Sequence, residues 1–275
     1  MEFRGIMGGF YRISEWIMRL TVTNILWLLF SSPFVFLIVT FLFVPPDGQT
    51  DVNVTWDLFM QWVIILGVVA PFTVIPATTA VFTSARKWVM GEVDVPLWKT
   101  FFRGYKENYL QSMLGGIFFV ILSFVMLYDY MFFKDQEGNM KILAYLFITL
   151  GVLTMAAFFN FFSIMVHFHM KLLQVIKNSF LITIGHPIST ISMLVINAFM
   201  LYIATQIQQL TFLLPFFISS LFALSTFWHF YRNFERMQAK MEKAEEEKRL
   251  KEEEEAEAAA LNSQSDGNSD VETIR

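Results

Sequence analysis

The stretch Pro76–Ser112, PATTAVFTSARKWVMGEVDVPLWKTFFRGYKENYLQS, decides the fold. It is the longest charged interruption in an otherwise apolar chain, and it places Arg86, Lys87, Lys99, Arg103 and Lys106 between two uncharged runs of bilayer length. Short segments rich in Lys and Arg stay on the cytoplasmic side, so this cluster orients its neighbours. From Pro96, a residue suited to a first helical turn, Trp98, Phe101, Phe102, Tyr105 and Tyr109 recur at helical spacing. Lys99, Arg103 and Lys106 form an adjacent stripe. The pattern predicts a helix over 96–110 lying in the headgroup layer, rings inward and cations snorkelling outward. Arg86-Lys87-Trp88 reads as a second interface anchor, and Gly91–Asp94 as the break between the two.

Working outward, the run 58–85 is uncharged and contains Pro71 and Pro76, each expected to kink a spanning helix by removing a backbone bond. Further uncharged runs cover 20–44, 108–128 and 142–166, against about 20 apolar residues needed to cross. Residues 178–231 hold no Asp, Glu, Lys or Arg. As one helix that run would measure about 80 Å, far more than a bilayer, so it reads as two spans, near 184–206 and 210–231. Their turn is placed at Gln206–Gln209, with a break at Gly185-His186-Pro187. A short interfacial helix over 8–20, carrying the i,i+4 pair Glu15 and Arg19, leads into the first span. The fold expected is an all-α, polytopic bundle of six transmembrane helices over 1–231, with interfacial amphipathic helices. A charged cytoplasmic helix follows over 232–261, then a disordered tail over 262–275. With both termini cytoplasmic, 14 Lys and Arg near the membrane lie inside and two, Lys134 and Lys141, outside. No cleavable leader is expected, because Arg4, Arg12, Glu15 and Arg19 precede any long apolar run.

Composition agrees: 55% of residues are hydrophobic, 16% are charged, and 32 are Phe. The net charge of −4 belongs to the tail, since residues 232–275 hold 13 of the 24 acidic residues. With no cysteine, disulfides, thiolate metal sites and a Cys nucleophile are excluded. His167 and His169, two residues apart, point about 200° apart on a helix and cannot share a metal. His186 and His229 stand alone, and all four read as interface or packing histidines. No nucleophile–base motif or phosphate loop is present, so no catalytic, cofactor-binding or metal residues are assigned and no cofactor is expected. The spans carry only amides and hydroxyls, among them Asn24, Gln61, Thr73, Thr78, Thr79, Asn160 and Asn197. These read first as hydrogen bonds between helices, and second as the lining of a polar path.

At FYRISEWIMRLTVTNILWLLF and PATTAVFTSARKWVMGEVDVPLWKTFFRGYKENY, the chain resembles the YesL-type family of bacterial membrane proteins. The likeness is carried by Tyr11-Arg12, Trp16, Asn24, Trp27, Pro76-Ala77-Thr78, Arg86-Lys87-Trp88, Gly91 and Phe101–Lys106, and spans about residues 3–230. The resemblance implies a family of unknown function whose genes sit beside carbohydrate importers, their two-component regulators and polysaccharide-degrading enzymes. It implies no catalytic residues. The expectation is a non-enzymatic accessory of a carbohydrate uptake system in the plasma membrane. Its partners would be the bilayer and an importer or sensor subunit, with no nucleic acid. Arg86, Lys87, Trp88, Lys99, Arg103 and Lys106 would form the membrane-interface or partner surface. A small-solute transporter or channel is the competing class.

Overall fold

A computed structural model describes residues 6–43, 56–206 and 208–272. Among the described residues the protein is all-α: α1 (Ile6–Phe30), α2 (Ser32–Phe43), α3 (Trp56–Val69), α4 (Val74–Val89), α5 (Leu97–Lys134), α6 (Lys141–His167), α7 (Leu172–Gly185), α8 (Pro187–Gln206) and α9 (Gln208–Glu272). The acidic loop near Asp47 and Asp51, and Ile207 in the expected turn, lie outside the described residues. Two compact units divide the chain at Phe230 and Tyr231. In the second, Lys248–Glu252 and Arg249–Glu253 are i,i+4 ion pairs on a solvated helix. That helix continues to Glu272, where composition points to disorder from Asn262. A helix already formed upstream extends at the cost of one residue per added bond.

Among the described residues, four helices are long and apolar enough to cross a membrane: Gly9–Phe30, Leu97–Lys134, Lys141–His167 and Pro187–Gln206. The pair Leu58–Phe72 and Val74–Val89, bent by 50°, makes a fifth if counted as one span. Six are thus not distinguished. The run 20–44 is interrupted at Ser31, because Pro33 brings no N–H to the Leu29 carbonyl. The first span candidate therefore begins earlier, in the segment expected to lie at the interface. The uncharged run 178–231 is shared among α7, α8 and the start of α9.

The expected surface helix over 96–110 is likewise not separate. It forms the first turns of the 38-residue α5. Nothing between Tyr109 and Gly115 stops a helix, and a lone glycine pair costs too little to do so. Gly115 and Gly116 instead admit neighbours. A Cβ on Gly115 would lie 2.2 Å from the Phe161 ring, and one on Gly116 2.7 Å from Ile75. A Cβ on Gly104 would lie 2.5 Å from Thr83. Small residues thereby bring α4 and α6 against α5, as bilayer packing requires in the absence of a hydrophobic drive between helices.

Phenylalanines fill the space around these contacts. Phe119 lies 5.3 Å from Phe161 and 5.8 Å from Phe180, ring to ring, and Phe82 stacks on Phe162 at 5.1 Å. Of the Phe-rich run in α6, Phe161 and Phe162 are buried, while Phe158 and Phe159 are half-buried. Outward faces stay apolar too, as at Leu29, Phe36, Ile121, Leu181 and Ile188, which is what insertion into a bilayer demands.

Candidate functional site

The link between α4 and α5 is built around one buried cation. Arg19 is 5% exposed, and its guanidinium donates to Glu15 one turn earlier and, at 3.1 Å, to Asp94 in the link. The same guanidinium lies 5.6 Å from the Trp16 ring centroid. Trp16 in turn meets Trp88 edge-on at 5.9 Å. A buried Arg persists where planar pairing and ring contact replace its water. Gly91, at φ 88°, makes the turn that returns the chain toward α5, and Lys87 bridges to Glu92 at 3.2 Å. Trp88 is thus an interior packing residue and not a lipid anchor. Arg86 beside it is half-buried, with its Nε out of solvent and lacking a hydrogen-bond acceptor.

The aromatic stripe of α5 also turns toward protein. Phe30 lies 5.6 Å from Phe101, 5.2 Å from Phe102 and 4.6 Å from Tyr105, so the end of α1 takes the place expected of headgroups. Only Trp98 and part of Phe102 remain exposed. On the adjacent stripe, Arg103 pairs with Glu107 at 2.8 Å, while Lys99 and Lys106 are exposed without an ion pair. The six expected surface residues therefore separate. Trp88 is buried, Arg86 and Lys87 are half-buried beside it, and Lys99, Arg103 and Lys106 form an exposed basic face on which Arg103 is paired to Glu107.

Pro71 lies in a 3₁₀ turn, Ala70–Phe72, between α3 and α4, and Pro76 is buried in the first turns of α4. The bend leaves the Phe72 carbonyl to accept from the Tyr109 hydroxyl at 3.2 Å. Beside the bend, α3 and α5 line an outward-open cavity of about 740 Å³. Its walls include Ile64, Val68, Phe72, Ile117, Val120 and Phe124, and Ser123 is its one hydroxyl-bearing residue.

The amides of the spans tie helices together. Asn160 donates to Thr183 at 2.9 Å, joining α6 to α7, and Asn197 donates to Thr226 at 2.9 Å, joining α8 to α9. Asn24 accepts from Ser219, and Trp27 donates to Thr78 at 3.0 Å. Thr73, Thr78 and Thr79 each bond the carbonyl four residues earlier, and Gln61 is exposed. His229 does not stand alone. Its Nδ1 lies 2.8 Å from the Ser225 carbonyl and its Nε2 lies 3.3 Å from the Ser192 hydroxyl. Assigning the proton to Nδ1 satisfies both contacts and makes the pair a tie between α8 and α9. Among the described residues no three of His, Cys, Asp or Glu gather as metal ligands would.

Two of these features escape sequence reading. The Glu15–Arg19 spacing is visible, but Asp94, 75 positions from Arg19, carries no signal as its partner. The cavity likewise depends on how far α3 departs from α5.

Residues 20–130 match the model of a protein family described as DUF624, of unknown function. The chain is 28% identical to YteU of Bacillus subtilis (strain 168) over 80% of its own length and 83% of that protein. It is 26% identical to YesL of the same organism, over 88% and 98% of the two chains, and 29% identical to YesV, over 71% and 93%. All three are described as uncharacterized. No solved structure matches the chain. The matched region begins one residue after Arg19 and contains the bent pair, Asp94, the basic face and most of α5; there, and over the longer stretches aligned to the three relatives, the chain is similar to the YesL-type, DUF624 proteins, whose function is unknown.

Proposed function

We propose that the protein is a six-pass plasma-membrane protein with cytoplasmic termini that assists a carbohydrate uptake system without catalysing a reaction itself. The observation that carries the reading is the free basic face of α5, with Lys99 and Lys106 exposed and unpaired at the end where the chain's cations concentrate. A surface whose charges are not spent on internal pairs is available to a partner. The charged helix beyond Tyr231 supplies a second surface, and the gene neighbourhoods that the family resemblance implies supply the kind of partner. Two measurements test the reading. Purification in mild detergent recovers an importer or sensor subunit, and recovery falls in Lys99→Glu/Lys106→Glu. Deletion alters the importer's uptake kinetics. Recovery of neither subunit with unchanged kinetics overturns the reading. Label accessibility tests the thread separately: Lys99 and Asp51 in one compartment would refute it.

A transporter or channel is the second reading. It is favoured by four buried polar atoms that lack hydrogen-bond partners: Thr23 Oγ1, Asn24 Nδ2, Asn197 Oδ1 and Ser225 Oγ. Groups of this kind hold water or a polar solute when one is present. Liposomes carrying the protein decide it: absence of sugar or ion flux, with Pro71 and Pro76 intact or replaced, removes this reading.

A further inference from the structure

Arg86 is a half-buried cation with no carboxylate to meet. The two carboxylates of the link that follows α4 are taken by other cations, Glu92 by Lys87 at 3.2 Å and Asp94 by Arg19 at 3.1 Å. On α5, Glu107 is paired with Arg103, and Asp129 lies near the far end of the helix. α4, α6 and α7 contain no Asp or Glu. Among the described residues no ion pair includes Arg86. Its neighbour across the helix contact is His167. α4 and α6 both run antiparallel to α5: Gly104 meets Thr83 and Gly116 meets Ile75, while Gly115 meets Phe161 and Phe133 stacks on Phe147. α4 and α6 are therefore parallel, and they touch where Phe82 stacks on Phe162. Arg86 comes four residues after Phe82 and His167 five after Phe162, about 6 and 7.5 Å further along the two axes. The charge of Arg86 reaches the imidazole. His167 is half-buried as well, and Arg86 Nε and His167 Nδ1 are both out of solvent.

We infer that Arg86 and His167 form a binding site for a phosphate group, carried by a phospholipid headgroup or by a soluble phosphate compound. A guanidinium partly withdrawn from water and left without a counter-charge is costly, and a bound anion removes that cost. The number of donors selects the anion. The two oxygens of a carboxylate are used up by the planar fork of one Arg, whereas a phosphate has oxygens for the fork and for an imidazole N–H from a second helix. The surroundings strengthen the attraction. Around the imidazole, Phe168 lies 4.6 Å, Phe227 6.0 Å and Phe230 5.7 Å away, ring to ring, and charges act more strongly beside such apolar groups than in water. Depth fits too. Arg86 and His167 are the first basic side chains after the uncharged runs 58–85 and 142–166, where hydrocarbon gives way to headgroups. The site is distinct from the α5 face that carries Lys99 and Lys106 and does not rest on the reading of that face as a partner surface.

The test compares full-length wild type with Arg86→Gln in two settings. In neutral detergent, inorganic phosphate is titrated at constant ionic strength while the melting temperature is followed. Wild type should rise, with an apparent affinity that Arg86→Gln weakens at least about tenfold. Lys177→Gln, which removes one exposed charge on α7, should leave that affinity unchanged. Without phosphate, Arg86→Gln should melt no lower than wild type, because it gives up no internal pair; a marked drop there would assign Arg86 to internal packing and overturn the inference. The second setting is nanodiscs of phosphatidylcholine with a minor share of phosphatidylglycerol, followed by detergent extraction and mass spectrometry of retained lipid. Wild type should retain phosphatidylglycerol in preference, and Arg86→Gln should lose that preference. A phosphate-dependent rise alone assigns the site to a soluble compound, and a lipid preference alone assigns it to a headgroup. His167→Gln should weaken either effect severalfold, and it carries the test if Arg86→Gln does not fold. Neither a rise nor a preference in wild type overturns the inference, as does any such effect that persists in both variants.

Discussion

Arg19 and Lys106 are both cations on the same side of the apolar runs, and they have opposite fates. Arg19 is almost wholly enclosed, shared between two carboxylates and laid beside Trp16. Lys106 is exposed and makes no ion pair. In a charge count each contributes one unit toward the same orientation. In the folded chain Arg19 holds α1 to the link before α5, and its removal leaves Glu15 and Asp94 without their shared cation. Lys106 holds nothing within the protein and is available for something outside it. Position along the sequence does not distinguish them, but enclosure by Trp16, Trp88 and the Gly91 turn does.

The sharpest way to break this contrast is Arg19→Met. Arg19 is buried but Glu15 and Asp94 are not, so the variant strands no buried charge; loss of the charge-assisted hydrogen bonds and the ring contact should cost about 1.5–3 kcal/mol and lower the melting temperature in detergent. A cost under 1 kcal/mol would place Arg19 with Lys106 and erase the distinction. Gly115→Ala comes next and probes packing alone. Its Cβ meets the Phe161 ring, which has no room to retreat, and overpacking of this kind costs about 1–3 kcal/mol. Phe161→Leu in the same background should recover part of the loss, as a double-mutant cycle would record.

Asn160→Ala tests the uncharged ties on the same scale. Hydrogen bonds between helices in bilayers average about 0.6 kcal/mol, so its shift should fall between those of the packing variant and the surface. Thr183→Val combined with it should add only the loss of the Thr183 hydroxyl's own bond to the Ser179 carbonyl, because the Asn160–Thr183 bond is already gone. Lys106→Gln is expected to move stability least, within about 0.5 kcal/mol. Asp94→Asn sharpens the comparison from the other end. Its side chain is 88% exposed, so loss of its charge should cost under about 1 kcal/mol although its partner is buried.

Several parts of this fold were readable from residue order. The helical class follows from the apolar runs, and the bend in the second run from Pro71. The break at His186 follows from Gly185 and Pro187, neither of which favours helix continuation there. Other parts are not legible in residue order, for a common reason. Aromatic residues beside cations look the same whether they meet headgroups or another helix. In sequence Trp88 and the Phe101–Tyr105 stripe fit membrane contacts, but in the fold Trp16 and Phe30 pack on them. Asn24, Asn160 and Asn197 were open between a polar path and helix ties, and their partners on other helices show the ties. The residues proposed as a surface divided in two because burial depends on neighbours distant in the chain.

By itself the sequence determined that this chain builds long apolar helices and where its charges fall between the apolar runs. Both properties are local, since hydropathy, helix period and charge are carried by each segment alone. Tertiary structure decided which cation is enclosed, which rings pack on protein and where α3 and α5 part to leave a cavity. Those outcomes depend on approach distances set by Gly104, Gly115 and Gly116 against partners elsewhere in the chain, and no single segment contains both sides of such a contact.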